Sequence, residues 1–325
     1  MKPSAYQLFR GHVPMTDQSQ RAFALIRCFD EQGQEGWGEI APLPGFSLEA
    51  LDDVVAEARG MLGHPDGQVP NSPSLAWAMD TAHRNLEAAQ RGLPLCRLIR
   101  EDAPNYIRVN ALLPAEEPVS HDRPHTVVKC KVGTLPIAEE WDRLRKIPAR
   151  LRLDANRGLN LGQALRLSEA LSALDVEYIE EPVAAFSDLP AFIEQSHFPV
   201  ALDETLREKT PTQLDHLDLG AIVYKPSLMG GWIHLMQWHA FAVERGIKMT
   251  ISAAYETGIG LWTLANVAAG LPGASAFAGL DTYRFLAGDI IEPRLDFSHA
   301  RLELSETFST LYHVKAETLE EIPHG

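Results

Sequence analysis

The chain has two patterns of hydrophobic and polar positions, one in its first third and another in the remainder. From about residue 5 to residue 43, apolar and polar positions alternate, notably in Ala22–Phe29, and a turn follows at Gln32–Gln34. A period of two is typical of antiparallel strands, because successive side chains of a strand point to opposite faces. The segment therefore predicts a meander of about three strands.

A helical pattern follows the proline- and glycine-rich loop Pro42–Ser47. Apolar residues recur at helical spacing in Leu51–Ala58 and again from Ser74 to about Gln90. This spacing predicts two helices, the first of them starting near Ser47. The N-terminal third is thus expected to form an α+β lobe of its own.

From Tyr106 onward, a short apolar run, a turn and a helical stretch repeat without interruption. Helical spacing is clear in Leu161–Leu174 and Trp232–Arg245. The predicted strands lie near 106–112, 126–132, 150–154, 176–181, 199–203, 220–225, 248–253 and 277–281. Eight strands that alternate with helices predict a parallel (β/α) barrel, with an open doubly wound sheet as the alternative.

Length, composition and charge narrow the class of protein further. The 325 residues are 45% hydrophobic and 22% charged, which suits a globular barrel with an added lobe. The net charge of −15 argues against nucleic acid or an anionic membrane as the main partner. The start resembles no signal peptide, and no run of about 18 uncharged apolar residues occurs, so a cytoplasmic protein is expected. The sequence carries no prediction of oligomeric state.

The cysteines indicate neither a disulfide framework nor a metal site. Cys28, Cys96 and Cys130 are odd in number and far apart, and they form no Cys-x-x-Cys motif. We expect all three to be reduced and structural.

Two lysines occupy alternate positions in the apolar run 127–133. Side chains two residues apart on a strand share a face, so Lys129 and Lys131 point the same way. On a surface strand the pair would be ordinary solvated charge. In a buried strand, desolvation and the like charge both lower a lysine pKa, which would make such a lysine a base near neutral pH.

Three acidic residues recur at the ends of successive predicted strands. Asp154, Glu180 and Asp203 follow one another at intervals of 26 and 23 residues, and Lys225 follows 22 residues later. Each interval is about one strand and one helix, so a parallel barrel would bring these residues to one mouth. Each acid alone could instead cap a helix or start a turn. Three acidic residues that recur at this interval favour a Mg²⁺ site built from carboxylate oxygens, which are hard ligands. Lys131 and Lys225 would then lie on opposite flanks of the metal.

Five short motifs carry this chemistry in order along the chain. They are Lys129–Lys131, Leu153–Arg157, Glu180–Pro182, Asp203–Glu204 and Lys225–Pro226. Together they resemble the enolase superfamily, in the muconate-lactonizing-enzyme-like subgroup with Lys-x-Lys on the second barrel strand. The resemblance covers nearly the whole chain. Within the superfamily, Trp37–Ser47 and Lys225–Gly230 are most similar to the o-succinylbenzoate synthase family.

The resemblance implies a fold and a reaction. The fold is a modified TIM barrel of the (β/α)7β type at residues 101–290, under an α+β capping domain at 1–100 to which a tail, 291–325, returns. The substrate is a small-molecule carboxylate that loses its α-proton to a lysine and becomes an enediolate. Mg²⁺, or Mn²⁺ in its place, and neighbouring ammonium groups neutralise the charge that develops.

The resemblance also implies a role for each candidate residue. Lys131 is the acid/base of a syn elimination of water from 2-succinyl-6-hydroxy-2,4-cyclohexadiene-1-carboxylate, a step of menaquinone biosynthesis. Lys129 stays cationic and lowers the pKa of its neighbour, while Lys225 stabilises charge from the opposite face. The implied metal ligands are Asp154, Glu180 and Asp203, and the implied substrate contacts are Phe46, Ser252 and Asn156.

One departure from the family leaves alternatives open. Its members tend to have a serine-rich run after the seventh strand, but here the run reads Ile251–Ala254, and only Ser252 is carried over as a contact to the succinyl carboxylate. Relatives with the same lysines racemise N-acylamino acids or epimerise dipeptides, and such an activity is the first alternative. A barrel retained for binding without turnover is the second, although it would predict a damaged metal triad or a missing lysine.

Overall fold

The computed structural model describes residues 3–63, 69–115, 117 and 124–324. The chain begins with an N-terminal lobe of three strands followed by three helices. Its elements are β1 (Ala5–Pro14), β2 (Gln20–Phe29), β3 (Glu35–Ile40), α1 (Leu51–Gly63), α2 (Pro73–Arg91) and α3 (Leu95–Ile99). The strands pair antiparallel in the order β1-β2-β3, which confirms the predicted three-stranded meander.

Both faces of this sheet are buried, which explains why β2 is apolar at nearly every position. Phe23 and Leu25 belong to the core shared with the barrel, whereas Ala24 and Ile26 pack in a second core with α1 and α2. The spacing predicted that the first helix starts near Ser47, but the helix begins at Leu51. The Ser47 hydroxyl accepts a hydrogen bond from the Leu43 amide (2.7 Å) and so closes the preceding loop.

The central part of the chain alternates strands with helices, as the repeat predicts. Its elements are β4 (Tyr106–Val109), β5 (Ala111–Leu113), β6 (Val127–Lys131), α4 (Ile137–Leu144), β7 (Arg150–Asp154), α5 (Leu161–Leu171), β8 (Val176–Glu180), α6 (Leu189–Gln195), β9 (Val200–Leu202), α7 (Thr205–Glu208), α8 (Pro211–Leu214), β10 (Ala221–Tyr224), α9 (Pro226–Met229), α10 (Trp232–Arg245), β11 (Lys248–Ile251), α11 (Gly258–Gly270) and β12 (Phe277–Ala278). Strands β5 to β11 form one parallel sheet in chain order.

The ring closes through the last and shortest strand. β12 pairs in parallel with β4, and Gly279, directly after it, forms a parallel bridge with Ser252 at the end of β11. The fold is therefore the expected modified TIM barrel. The first barrel strand is divided at Asn110, because β4 pairs with β12 while β5 pairs with β6.

The chain then returns to the N-terminal lobe. The last elements are β13 (Ile291–Glu292), β14 (Arg301–Glu303), α12 (Phe308–Leu311), β15 (His313–Val314) and β16 (Glu320–Ile322). β16 pairs antiparallel with β1, where Ile322 lies opposite Leu8. The boundaries of the three domains, at 100/101 and 290/291, stay a prediction.

One apolar core extends from the N-terminal sheet through the barrel. It includes Phe9 and Trp37 of the sheet together with Leu153 and Ile179 of the barrel strands. All 13 residues of α11 are buried. The three cysteines are free and buried, as expected. None of the helices in the described part of the chain has the length and apolar character needed to cross a bilayer.

Candidate active site

The carboxyl ends of the barrel strands surround a cavity of about 160 Å³. Loop residues Leu43 and Phe46 of the N-terminal lobe form part of its wall. Eight of the nine predicted site residues line it, and the ninth, Glu180, lies fully buried beside Lys129. Parallel strands end at the same face of a barrel, so the predicted site residues at the strand ends meet at one cavity.

Strand register explains how the charged side chains meet. β6, β7 and β8 pair so that Lys131 lies beside Asp154, and Asp154 lies beside Glu180. Lys129 donates to Glu180 Oε1 at 2.7 Å and lies 3.0 Å from Asp154 Oδ2. Lys129 of β6 therefore offsets the charge of carboxylates on the next two strands, β7 and β8.

The two remaining lysines lie on opposite sides of the barrel. Lys131 ends β6 and donates to Asn156 Oδ1, whereas Lys225 follows β10 and forms an ion pair with Asp203. β10 lies four strand positions from β6, with β7, β8 and β9 between them, which is half-way round the eight-stranded ring. Both ammonium groups line the same cavity, so they face a bound molecule from two directions.

Neighbouring charge sets the pKa values of this cluster. Burial disfavours the ammonium form of Lys129, but Asp154, Glu180 and Asp203 outweigh it and raise the pKa of Lys129 well above its usual value. Burial likewise opposes the charge on Lys225, yet Asp203 raises its pKa. The raised pKa agrees with the cationic Lys129 that the resemblance implies, because acidic neighbours on other strands outweigh burial and the like charge.

Among the carboxylates, burial has unequal effects. Burial raises the pKa of Glu180 well above its usual value, and the negative charge of Asp154 adds to the rise against the effect of Lys129. Burial also acts on Asp203, but there Lys225 and Lys129 prevail and lower its pKa. Two carboxyl groups of one site thus have pKa values shifted in opposite directions.

The donor set fits a hard divalent cation. Asp154, Glu180 and Asp203 offer oxygen atoms from the ends of three adjacent strands, and Glu180 Oε2 is buried without a hydrogen-bond partner. Within the described residues, no three His, Cys, Asp or Glu side chains are already gathered as a metal site. Lys129 and Lys225 form ion pairs with these same three carboxylates.

The three predicted substrate contacts lie on different walls of the cavity. Phe46 is 48% exposed, so the loop reaches over the cavity without sealing it. Ser252 is buried, and its hydroxyl donates to the Gly279 carbonyl oxygen at 3.3 Å. Asn156 adopts a positive φ of 43°, which turns its side chain to accept from Lys131.

Sequence reasoning missed several wall residues. Asp281 lines the cavity and accepts a hydrogen bond from the Leu112 amide at 2.8 Å. Its place at the end of the last predicted strand was a usable signal, of the same kind as for Asp154. Tyr255 and Asn110 also line the cavity, and no strand-end pattern distinguishes them.

A buried arginine of the N-terminal lobe joins the loop to the barrel rim. Arg21 of β2 donates to the carbonyl oxygens of Ala41 (2.7 Å) and Pro42 (2.8 Å), at the start of the loop. It also donates to those of Ala254 (3.2 Å) and Tyr255 (3.0 Å). Five N–H donors in a fixed fork suit this task, and a lysine could not reproduce it.

The fold and the ring of carboxylates and lysines are those of a barrel enzyme that acts at the carboxyl ends of its strands. Residues 114–308 match the family model described as Enolase C-terminal domain-like, and residues 7–86 match the model described as MenC, N-terminal domain. The chain therefore belongs to the enolase superfamily.

Relatives in sequence and in structure agree with this family but carry different names. The o-succinylbenzoate synthase of Klebsiella pneumoniae is 30% identical over an alignment of 318 positions that covers 88% of this chain and 93% of that protein. A dipeptide epimerase from Cytophaga hutchinsonii, solved with Mg and the dipeptide D-Ala-L-Val, has a TM-score of 0.83 at 18% identity, with 100% of both chains covered. The muconate lactonizing enzyme from Pseudomonas putida has a TM-score of 0.82 at 17% identity, with 98% of both covered. The two structures support the fold alone.

Proposed function

We propose that this protein is a lyase, an o-succinylbenzoate synthase that removes water from 2-succinyl-6-hydroxy-2,4-cyclohexadiene-1-carboxylate to give 2-succinylbenzoate in menaquinone biosynthesis. The observation that carries the proposal is the pairing of Lys131 and Lys225 across one cavity above three carboxylates. Relatives of that name, about 30% identical over most of the chain, support the choice of reaction.

Lys131 moves the proton in this proposal. It takes the α-proton as the C–H bond breaks, and the electron pair passes into the substrate carboxylate. It then returns the proton to the hydroxyl group on the same face as the C–O bond breaks, so that water leaves and the ring becomes aromatic. Asn156 accepts a hydrogen bond from Lys131 and so fixes the direction of its Nζ atom, which takes the α-proton as a neutral amine and returns it as an ammonium group.

The other residues stabilise the charge that develops on the substrate. Lys129 and Lys225 are cationic, because their acidic neighbours raise both pKa values, and they attract the negative charge from two sides. Asp154, Glu180 and Asp203 would hold Mg²⁺, or Mn²⁺, which when bound supplies further positive charge for the substrate carboxylate. Phe46 would exclude water once a substrate lies beneath it, and Ser252 would contact the succinyl carboxylate.

A racemase or epimerase activity is the second candidate. The dipeptide epimerase of similar fold and the two lysines on opposite sides favour it, because a two-base reaction needs an acid/base on each face. The rates at which the protein turns over the cyclohexadiene acid, N-acylamino acids and dipeptides decide between the two candidate functions. If the protein racemises an N-acylamino acid faster than it dehydrates the cyclohexadiene acid, the synthase proposal is wrong.

Metal removal provides the first test. Treatment with EDTA should abolish dehydration, and Mg²⁺ or Mn²⁺ should restore it. Asp203→Asn, which keeps the shape but removes a charge, should weaken metal binding while the circular dichroism spectrum stays unchanged. Full activity in a rigorously metal-free sample would contradict the metal site.

The two lysines provide the second test. Lys131→Ala should abolish both turnover and exchange of the substrate α-proton with solvent deuterium, followed by NMR. Lys225→Ala should lower turnover about 10²-fold or more, by loss of charge stabilisation, and should leave exchange detectable. Complete loss of exchange in Lys225→Ala would instead make Lys225 an acid/base and favour the two-base reaction.

A further inference from the structure

A second glutamate follows the proposed metal ligand Glu180 and points away from the cavity. Glu181 is buried, and its Oε1 accepts hydrogen bonds from the backbone amides of Asp203 (2.9 Å) and Thr205 (2.7 Å). Its Oε2 accepts from the hydroxyl of Thr205 at 2.9 Å. The Glu181 carboxylate, directly after β8, therefore fixes the backbone that carries Asp203, directly after β9.

Arg157 completes the connection from the other side. It lies three residues after Asp154, its Nε donates to Glu181 Oε2 at 3.0 Å, and its backbone amide donates to the Glu181 carbonyl oxygen at 2.8 Å. Its guanidinium also donates to Thr205 Oγ1 (2.7 Å) and to Glu208 Oε1 (2.6 Å). One Arg–Glu pair thus joins the ends of β7, β8 and β9.

Arg157, its neighbour Asn156 and Glu181 all have a left-handed backbone conformation, which residues other than glycine rarely adopt. The φ angles are 43° at Asn156, 58° at Arg157 and 44° at Glu181. Such left-handed conformations cost free energy in residues other than glycine, and they persist only where surrounding contacts enforce them. The hydrogen bonds between Arg157, Glu181 and Thr205 are those contacts.

We propose that Glu181 and Arg157 are positioning residues that hold Asp154, Glu180 and Asp203 together for a divalent cation. Three carboxylates repel one another, so a chain that is free to separate them would bind the cation more weakly. The pair fixes the turns that carry these ligands and has no place in the cavity wall itself. The inference rests on the metal site of the proposed function.

The same two strands offer a matched control at their other ends. Glu177 of β8, three residues before Glu180, accepts from Arg152 Nε of β7 at 2.8 Å and has no hydrogen bond, among the described residues, to the backbone that carries Asp203. Glu177→Gln, on β8, and Glu181→Gln, directly after it, make the same chemical change, each in an Arg–Glu pair. Mg²⁺ binding to each purified full-length variant is measured by isothermal titration calorimetry, and the free energy of unfolding is measured by urea titration in EDTA.

Glu181→Gln and Arg157→Met should each raise the Mg²⁺ dissociation constant about tenfold or more, the usual effect of losing a partner behind a metal ligand. Arg157→Lys should recover part of that loss. Because the pair acts as one unit, the double variant should bind Mg²⁺ little worse than either single variant. Glu177→Gln should lower the free energy of unfolding and leave the dissociation constant within about twofold of the wild-type value.

Unchanged Mg²⁺ affinity in folded Glu181→Gln, or an equal loss in Glu177→Gln, would overturn the inference. If Glu181→Gln does not fold, Thr205→Val, which removes only the bridging hydroxyl, replaces it and should weaken Mg²⁺ binding by a smaller factor. Failure of the wild-type protein to bind Mg²⁺ would overturn the metal site of the proposed function and this inference with it. Wild-type binding with an unaffected Glu181→Gln would overturn this inference alone.

Discussion

Glu39 is a carboxyl group buried where the N-terminal sheet meets α11. It accepts hydrogen bonds from the Thr257 amide (2.9 Å) and hydroxyl (2.7 Å) and from the Gly260 amide (2.9 Å). Burial nevertheless raises the pKa of Glu39 to about 7, against the effect of the bonds from Thr257. The folded protein therefore keeps a proton near neutral pH that the unfolded chain releases.

This difference predicts a fall in stability as the pH rises. The usual pKa is 4.5, so between about pH 4.5 and 7 the native state binds more protons than the unfolded state, and the free energy of unfolding decreases with pH. The full effect of Glu39 is about 3 kcal/mol. Urea titrations at pH 5 and pH 8 should show a smaller loss of stability for Glu39→Gln than for the wild-type protein. Equal losses in the two proteins would contradict this origin of the pH dependence.

At the residue scale, sequence phasing located the proposed ligands but not the residues that support them. Asp154, Glu180 and Asp203 could be found because each lies at or directly after the end of a strand, and parallel strands end at one face of a barrel. Glu181 and Arg21 could not be found in this way, because their hydrogen-bond partners lie in segments far from them in the sequence. Burial and a like charge alone would lower the pKa of Lys129, and its rise depends on carboxylates of other strands.

At the element scale, two helical glycines should respond in opposite ways to alanine. A Cβ atom at Gly260 in α11 would lie 2.7 Å from Glu39 Oε2, whereas one at Gly60 in α1 would meet nothing within 4 Å. Gly260→Ala should therefore destabilise the protein by about 1–3 kcal/mol through overpacking. Gly60→Ala should stabilise it by about 0.5–1 kcal/mol, because alanine reduces the freedom of the unfolded chain.

Thermal and urea unfolding of the two variants show whether each substitution raises or lowers the free energy of unfolding. Each variant adds one methyl group to a helix interior, so the chemical change is the same. A stabilising Gly260→Ala would mean that Glu39 and the N-terminus of α11 are not in close contact.

Elements with strong local signals were predicted well. Trp232–Arg245 was found as predicted, and Gly246 ends the helix with a left-handed φ of 66°. Arg150–Asp154 also has the predicted bounds. The division of the first barrel strand at Asn110 could not be predicted, because it arises where the strand changes partners from β12 to β6. Local pattern does not encode such a change of partner.

At the scale of the whole molecule, the last strand covers the edge of the first. β16 pairs with β1, and Leu319 and Ile322 pack against the two apolar cores. Ending the chain after Lys315 removes these contacts and should lower the free energy of unfolding by about 2 kcal/mol or more. It should also promote aggregation, because β1 would expose unpaired backbone groups along its edge.

Unfolding curves and light scattering measure both effects. A chain that ends after Pro323 keeps β16 and serves as the control. Equal stability of the two shortened chains would show that the β1–β16 pairing contributes little.

Helix α11 has no solvent face, and its surroundings belong to both halves of the molecule. Its first turn bonds to Glu39 of the N-terminal sheet, and Gly270 near its end lies against Ile99 of α3. Relatives of this family that differ in their N-terminal lobes cannot exchange those lobes freely, because the incoming lobe must match the surface of α11. A chimera that folds would have to take the lobe and α11 from the same parent. Among related proteins, substitutions in the lobe and in α11 should therefore be correlated.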